Sequence, residues 1–174
     1  MHCLSRSPAD TAATAQALAR AIDAEGLVVA LVGPLGAGKT VFVQGLARGL
    51  GIDPARVTSP TFVIAAHHAD PAQAHPLVHA DFYRVESESE LEAAGWLDWI
   101  APGTVVAAEW GDRFPAAFPA DSIEVRIGSP ETGASVPAPT PGGGERRIEI
   151  TPRGPRARAT LARMLRARAA GDAP

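Results

Sequence analysis

The stretch LVVALVGPLGAGKTVFVQGL, residues 27–46, restricts the possible folds of this chain more than any other feature. It opens with a continuous apolar run that ends at a glycine, which is typical of a strand buried on both faces. Residues 33–40 fit the pattern G-x-x-x-x-G-K-[ST], and a helix is expected over 39–50 with Gly51 as its stop. A strand, a glycine-rich turn and a helix in this order predict a loop that binds phosphate groups.

Lys39, inside this loop, is the only lysine in a chain that has fifteen arginines. Arginine presents a wide planar fork, whereas a concave loop that holds β- and γ-phosphates has room for a compact ammonium on a slim stem. The hydroxyl of Thr40 would serve a magnesium ion. The alternative is a glycine-rich turn with a surface lysine, and the flanking strand and helix favour the phosphate loop.

Strands and helices alternate along the rest of the chain. Hydroxyl caps at Ser7 and Ser87 predict two helix starts. Further buried strands are expected at 76–81 and 103–112, whereas SIEVRIG and RRIEIT alternate as half-exposed antiparallel strands do. We therefore predict a single α/β domain over 1–174, a P-loop NTPase fold whose mostly parallel sheet is flanked by helices and carries an antiparallel C-terminal hairpin.

Two C-terminal segments are read from their composition. Residues 128–144 are rich in glycine and proline and are interpreted as a flexible loop within the hairpin. Residues 154–170 predict a basic amphipathic helix with Leu161, Met164 and Leu165 on one face. For its arginines we favour a solvated face over docking to an acidic partner or to tRNA.

Histidines and tryptophans gather in the middle of the chain. The histidines have irregular spacing and are interpreted as solvated loop residues rather than a transition-metal site, namely His67, His68, His75 and His79 near Asp70. Trp96 and Trp99 are three residues apart on one helical face and are expected in the core.

Two carboxylates are candidates for the chemistry beside the loop. Asp81 ends the apolar run PLVHAD and Glu109 ends TVVAAE. Strands of this kind deliver carboxylates to the carboxyl edge of a parallel sheet, where ligands bind. One could hold magnesium while the other orients the attacking water or a nearby polar group, and spacing does not assign the roles. Each could instead be a solvated strand end or a helix cap.

Charge and cysteine content narrow the class of protein. The net charge of −3 gives no global attraction to nucleic acid or to anionic membranes. Cys3 is the only cysteine, so no internal disulfide can form and a reducing compartment is expected. Apolar runs are shorter than a membrane span, and the N-terminus lacks a signal pattern. We therefore expect a cytoplasmic protein.

Four motifs in a fixed order resemble the bacterial TsaE family, over about residues 5–127. They are GPLGAGKT (33–40), TSPTF (58–62), HADFYR (79–84) and EWGDR (109–113). This family is the ATPase required to form threonylcarbamoyladenosine in tRNA. The resemblance implies ATP as substrate, Mg²⁺ as cofactor and the TsaD and TsaB pair as partners. The pair uses an adenylate made by TsaC, so tRNA is reached only indirectly, through that complex.

The resemblance also implies roles for individual residues. The phosphates would be bound by Leu35, Gly36, Ala37, Gly38, Lys39 and Thr40. Magnesium would be held by Thr40 and Glu109, and Asp81 would be the carboxylate needed for hydrolysis. Thr61 would lie in a switch-like loop near the γ-phosphate, Trp110 beside the nucleotide, and Thr11 near the adenine. The family usually has Asp where this chain has Pro34.

Two other functions compete with a regulatory ATPase. A small-molecule P-loop kinase would need a mobile lid whose arginines clamp the transferred phosphoryl group. The longest loop, 128–144, contains no arginine or lysine, although Arg84 and Arg113 could contribute to a clamp. A nucleotide-sensing adaptor with little catalysis is the third possibility, and slow intrinsic hydrolysis resembles it closely.

Overall fold

The computed structural model describes residues 1–69, 73, 75–130 and 144–171. A mixed sheet of seven strands forms the centre of this part of the chain. The strands run in the order β1-β7-β6-β2-β5-β4-β3. Their bounds are β1 His2–Ser5, β2 Leu27–Val32, β3 Ala65–His68, β4 Leu77–Asp81, β5 Val105–Glu109, β6 Ser122–Gly128 and β7 Arg146–Arg153. The helices are α1 Pro8–Arg20, α2 Lys39–Gly49, α3 Glu88–Ala93, α4 Trp96–Trp99 and α5 Gly154–Ala169.

The centre of the sheet is parallel and its two edges are antiparallel. Strands β6, β2, β5 and β4 pair in parallel, while β7 and β1 follow antiparallel on one side and β3 on the other. Residues of β2, β4 and β5 are buried throughout, as continuous apolar runs predict. This confirms the predicted P-loop fold class with its antiparallel C-terminal hairpin.

Two details of the sheet differ from the prediction. The half-exposed antiparallel arrangement expected for β6 is wrong on one side, because β6 pairs in parallel with β2 and most of its residues are buried. The short strand β1 was not predicted at all. It depends on a partner far along the chain, since Cys3 lies opposite Ile148 of β7.

The helices cover the sheet unequally. Helices α1, α2 and α5 pack against one face, and α3 and α4 pack against the other with short 3₁₀ turns at Gly111–Arg113 and Pro115–Ala117. Trp96 lies in the hydrophobic core between the sheet and helices α3 and α4, at 1% exposure, and Trp99 packs beside it, as predicted. The helix expected after Ser87 is interrupted, because Gly95 takes a positive φ of 97° between α3 and α4.

Helices α1 and α2 are in very close contact. A Cβ atom at Gly45 would lie 2.3 Å from the carbonyl oxygen of Ala12 and 2.7 Å from the Cβ of Ala15. Only glycine allows this approach of the two backbones. It fixes the direction of α2, and therefore the position of the phosphate loop at its start.

The C-terminal helix α5 occupies the predicted segment, but its buried face differs from the predicted one. That face is formed by Ala157, Thr160, Leu161 and Met164, whereas Leu165 is 45% exposed. Leu165 therefore does not belong to the apolar side. Of the expected loop 128–144, residues 131–143 lie outside the described residues.

Most of the histidines that were predicted to be solvated are buried. His68 and His75 are 9% and 8% exposed, and His79 in β4 is fully buried, while His67 remains exposed. They belong to paired strands or their ends rather than to a loop; Asp70 lies outside the described residues. Within the described ranges, no group of three or more His, Cys, Asp or Glu side chains is arranged to hold a metal ion.

None of the helices in the described ranges combines the length and apolar character that a membrane crossing requires.

Asp121 anchors the start of α5. Its two carboxylate oxygens accept hydrogen bonds from the backbone N–H groups of Arg156 and Ala157, at 3.1 and 2.9 Å. Partial burial acts to raise the pKa of Asp121, but these N–H groups and the Arg156 guanidinium outweigh it, so the pKa lies below its ordinary value of 3.8. The ionised carboxylate therefore stabilises the helix start.

We expect Asp121→Asn to lower the free energy of unfolding at neutral pH by about 0.5–2 kcal/mol, as loss of a helix cap does. Because the folded pKa is depressed, this stabilisation is present above about 3.8 and is lost as pH falls through the lowered folded value. Urea denaturation of both proteins across pH checks this. A difference that stayed constant into the acid range would contradict an electrostatic contribution.

Candidate nucleotide and metal site

The glycine-rich loop joins β2 to α2 through two tight backbone positions. At Gly33 a Cβ atom would lie 2.2 Å from the carbonyl oxygen of Ile127, so a side chain there would collide with β6. Gly38 precedes α2 with φ of 107° and offers no side chain to cap the helix. The first N–H groups of α2 therefore have no intrahelical acceptor, and Gly38 offers them no side chain, which makes the helix start favourable for an anion.

Lys39 is held over the loop by the loop itself. Its ammonium donates hydrogen bonds to the carbonyl oxygens of Gly33 and Pro34, at 2.7 and 2.9 Å, and lies 3.8 Å from the centroid of the Trp110 ring. Only 4% of the residue is exposed. Burial lowers the pKa of Lys39, and the charges of Glu109, Asp81 and Asp112 act against that shift. An anion bound in the loop would add to the charges that stabilise the ammonium.

Pairing of β2, β5 and β4 brings the two predicted carboxylates together. Leu31 lies opposite Glu109, and Glu109 lies opposite Asp81 on the next strand. Because side chains alternate along a strand, His79, Asp81 and Glu109 all face the side of the sheet that α2 covers. Both carboxylates are 4% exposed.

Glu109 is the carboxylate in contact with the phosphate loop. The Thr40 hydroxyl donates to its Oε1 atom at 2.7 Å, and the Nε2 atom of His79 lies 3.0 Å from the same oxygen. A hydroxyl that donates its proton to a carboxylate keeps its lone pairs for a cation. Hydroxyl and carboxylate oxygens are the ligands that Mg²⁺ prefers, so this donor set fits the ion.

Asp81 makes different contacts, all to one neighbouring segment or to its own strand end. Its Oδ2 atom accepts from the hydroxyls of Ser59 and Thr61, both at 2.7 Å, and its Oδ1 atom accepts from the N–H of Tyr83 at 2.9 Å. Its own N–H donates to the carbonyl oxygen of Ile64 at 2.8 Å. Asp81 thus ties residues 59–64 to the carboxyl end of β4.

Two residues beside the site have strained backbones. Ile64 and Trp110 adopt φ angles of 64° and 60°, in the left-handed region that non-glycine residues rarely occupy. Trp110 turns the chain directly after Glu109, and its ring packs 5.1 Å from that of Tyr83. Such strain persists only where surrounding contacts impose it, and it concentrates at ligand sites and switches.

A cavity of about 470 Å³ opens where these elements meet. It is lined by most of the predicted residues, namely Leu35, Gly36, Gly38, Lys39, Thr40, Thr61, Asp81, Glu109 and Trp110. Val41, Ser59 and Tyr83 also line it and were not predicted as site residues, although Ser59 and Tyr83 belong to motifs that the sequence shows.

Two predicted residues lie beside the cavity rather than on its lining. Ala37 is buried at 4% exposure. Thr11 is buried on α1, and its hydroxyl lies 2.7 Å from that of Ser5. A Cβ atom at Gly38 would lie 4.0 Å from the Thr11 methyl group, so Thr11 lies close to the loop.

Comparisons with known proteins identify the family of this chain. Residues 5–135 match the family model described as threonylcarbamoyl adenosine biosynthesis protein TsaE. The tRNA threonylcarbamoyladenosine biosynthesis protein TsaE of Treponema pallidum is 38% identical over 128 residues, which cover 73% of this chain and 90% of that protein. The protein of the same name from Streptomyces coelicolor is 43% identical over 103 residues, covering 59% and 68%.

A solved structure extends the likeness to nearly the whole fold. The crystal structure of Bacillus subtilis YdiB aligns with a TM-score of 0.70 and 27% sequence identity, over 97% of this chain and 95% of that one. The matched family model includes the phosphate loop, Asp81 and Glu109 within its range. On the strength of the family model and the relatives, the chain belongs to the TsaE family.

Proposed function

We propose that this protein is a magnesium-dependent ATPase required for threonylcarbamoyladenosine modification of tRNA in the cytoplasm, and that it acts on the TsaD–TsaB complex through ATP binding and hydrolysis. The observation that carries the proposal is the 2.7 Å contact between the hydroxyl of Thr40 and Glu109, beside Lys39 at the mouth of a glycine-rich loop. The pathway and the partners rest on membership of the TsaE family.

In this proposal the loop binds and orients the triphosphate. The segment from Leu35 to Thr40 contacts the phosphates through its N–H groups, and Lys39 adds a compact positive charge. Thr40 and Glu109 would hold Mg²⁺, which when bound would neutralise negative charge on the phosphate oxygens. Trp110 lies beside the nucleotide, next to Lys39, and Thr11, close to the loop at Gly38, lies near the adenine.

Asp81 and Thr61 would report the state of the phosphates to the surface. Asp81 is the carboxylate required for hydrolysis, and its bonds to Ser59 and Thr61 place the segment 59–64 at the cavity. Phe62 and Val63 in that segment are 83% and 68% exposed. A change in the contacts of Asp81 would therefore move an exposed apolar surface that a protein partner can read.

The contacts of Arg84 and Arg113, the two arginines in the motifs beside the site, favour an ATPase over a kinase. A kinase needs arginines free to clamp the transferred phosphoryl group. The Arg113 guanidinium donates to the carbonyl oxygen of Val85 at 2.7 Å, and that of Arg84 lies 4.5 Å from the centroid of the Phe62 ring. With both engaged, we infer that hydrolysis is slow until a partner completes the site.

The first prediction from the proposed function concerns Lys39, the only lysine of the chain. Lys39→Ala and Lys39→Arg should each weaken binding of a fluorescent ATP analogue by about 10- to 100-fold, since a charge-assisted hydrogen bond contributes about 1.5–3 kcal/mol. Arginine should fail despite its charge, because the ammonium is enclosed by Gly33, Pro34 and Trp110. Arg48→Ala, on the exposed side of the same helix, is the matched control. Full affinity in Lys39→Arg would refute the steric argument.

The second prediction separates the two carboxylates. Glu109→Gln should raise the Mg²⁺ concentration needed for half-maximal ATP hydrolysis and lower turnover, because it removes the charged metal ligand. Asp81→Asn should keep the affinity for Mg-ATP but lower kcat by about 100-fold, as loss of a group acting in the transition state does. Steady-state kinetics over a Mg²⁺ titration measures both. An unchanged Mg²⁺ dependence in Glu109→Gln would move the metal assignment to Asp81.

The third prediction tests the proposed function itself. Phosphate release from Mg-ATP by the purified protein should be slow. It should change when the TsaD–TsaB pair is added, because the pair is expected to complete a site whose own Arg84 and Arg113 are engaged elsewhere. The Lys39→Ala protein gives the background rate. No release in either case, together with a phosphorylated small molecule formed from ATP, would identify a kinase instead.

A further inference from the structure

We propose that His79 is a positioning residue that fixes the orientation of the Glu109 carboxylate toward magnesium. This inference rests on the proposed function, because it concerns the carboxylate assigned there to the metal. His79 is 0% exposed on β4, and its Nε2 atom lies 3.0 Å from Oε1 of Glu109. It precedes Asp81 by two residues on the same face of the sheet.

The chemistry of the pair determines which imidazole nitrogen carries hydrogen. An ionised carboxylate only accepts hydrogen bonds, so Nε2 of His79 must be the donor. The hydroxyl of Thr40 donates to the same Oε1 atom. Two donors on one oxygen hold the carboxylate in a single orientation, and neither of them occupies Oε2, which stays available to a cation.

The two donors belong to different parts of the fold. Thr40 lies in the first turn of α2, the element whose loop would receive the phosphates. His79 lies on β4, opposite Ala107 of β5, and its bond to Glu109 is therefore held within the sheet. The imidazole can keep Glu109 in place while the hydroxyl of Thr40 adjusts to a bound ion.

The other imidazole nitrogen argues against a purely structural histidine. Nδ1 of His79 is buried and, within the described part of the chain, has no hydrogen-bond partner. Burying an unpaired polar atom destabilises the folded state. A leucine would fill similar space in the core without that cost. The benefit of histidine at this position must therefore lie at Nε2, which contacts Glu109.

Two amide variants that differ in side-chain length provide a test of the contact between His79 and Glu109. In His79→Gln the amide nitrogen can occupy roughly the position of Nε2, whereas in His79→Asn it falls near Nδ1 and cannot reach Glu109. His79→Leu removes both nitrogens. The matched control is His75→Gln, since His75 is another buried histidine and its hydrogen bond to the carbonyl oxygen of Gly103 lies away from the cavity.

The primary measurement is the affinity of Mn²⁺, as a probe for the magnesium site, for each protein saturated with ADP, followed by electron paramagnetic resonance. His79→Asn and His79→Leu should weaken Mn²⁺ binding by about 10- to 100-fold, the usual effect of losing a hydrogen bond to a metal ligand. ADP affinity in the presence of EDTA should be unchanged. His79→Gln should recover most of the Mn²⁺ affinity, and His75→Gln should retain it.

The outcomes separate this inference from the proposed function. Parent-like Mn²⁺ affinity in a folded His79→Asn protein, or a His79→Gln protein as weak as His79→Asn, would overturn the role of Nε2. If His79→Leu does not fold, the Gln and Asn pair still decides the question. If the parent protein binds neither ADP nor Mn²⁺, the proposed function fails, and the inference fails with it.

Discussion

The hydrogen bond between Thr40 and Glu109 connects the phosphate loop to the sheet, and it forms only where several parts of the fold are held in place together. It joins the first turn of α2 to the last residue of β5, 69 positions apart in the chain. It requires the parallel pairing of β2 and β5, the close approach of α1 and α2 at Gly45, and a loop whose glycines let the chain turn within a few residues. The parallel pairing of the strands therefore sets the distance between the phosphate loop and the Glu109 carboxylate.

Electrostatics around Lys39 bear on how a chain with a net charge of −3 would hold the polyanion of the proposed function. The ammonium is buried among carbonyl oxygens, the Trp110 ring and the charges of Glu109, Asp81 and Asp112. Burial alone lowers its pKa, and the carboxylates oppose that effect. A cation that also reached Glu109 would neutralise part of this negative charge, which makes binding of metal and phosphate mutually favourable.

Local chemistry explains what the sequence could predict. The loop, the caps at Ser7 and Ser87, and the two strand-end carboxylates are signalled by neighbouring residues, and the structure contains all of them. Features that depend on distant partners were missed or wrong: strand β1, the parallel side of β6 and the burial of His79. A histidine beside prolines resembles a loop residue until β4 is known to lie between β3 and β5.

Ile64 and Trp110 have strained backbones, and each lies beside one of the two carboxylates. A left-handed φ at a β-branched residue costs about 1–3 kcal/mol and needs compensating contacts. For Ile64 these are the bond from the N–H of Asp81 to its carbonyl oxygen and the bonds of Ser59 and Thr61 to the Asp81 side chain. Any ligand that competes for the Asp81 carboxylate weakens that compensation. The segment 59–64 would then relax toward an ordinary backbone, and the exposed Phe62 and Val63 would move with it. In the proposed function, strain beside Asp81 would link a change at the phosphates to the position of this exposed segment.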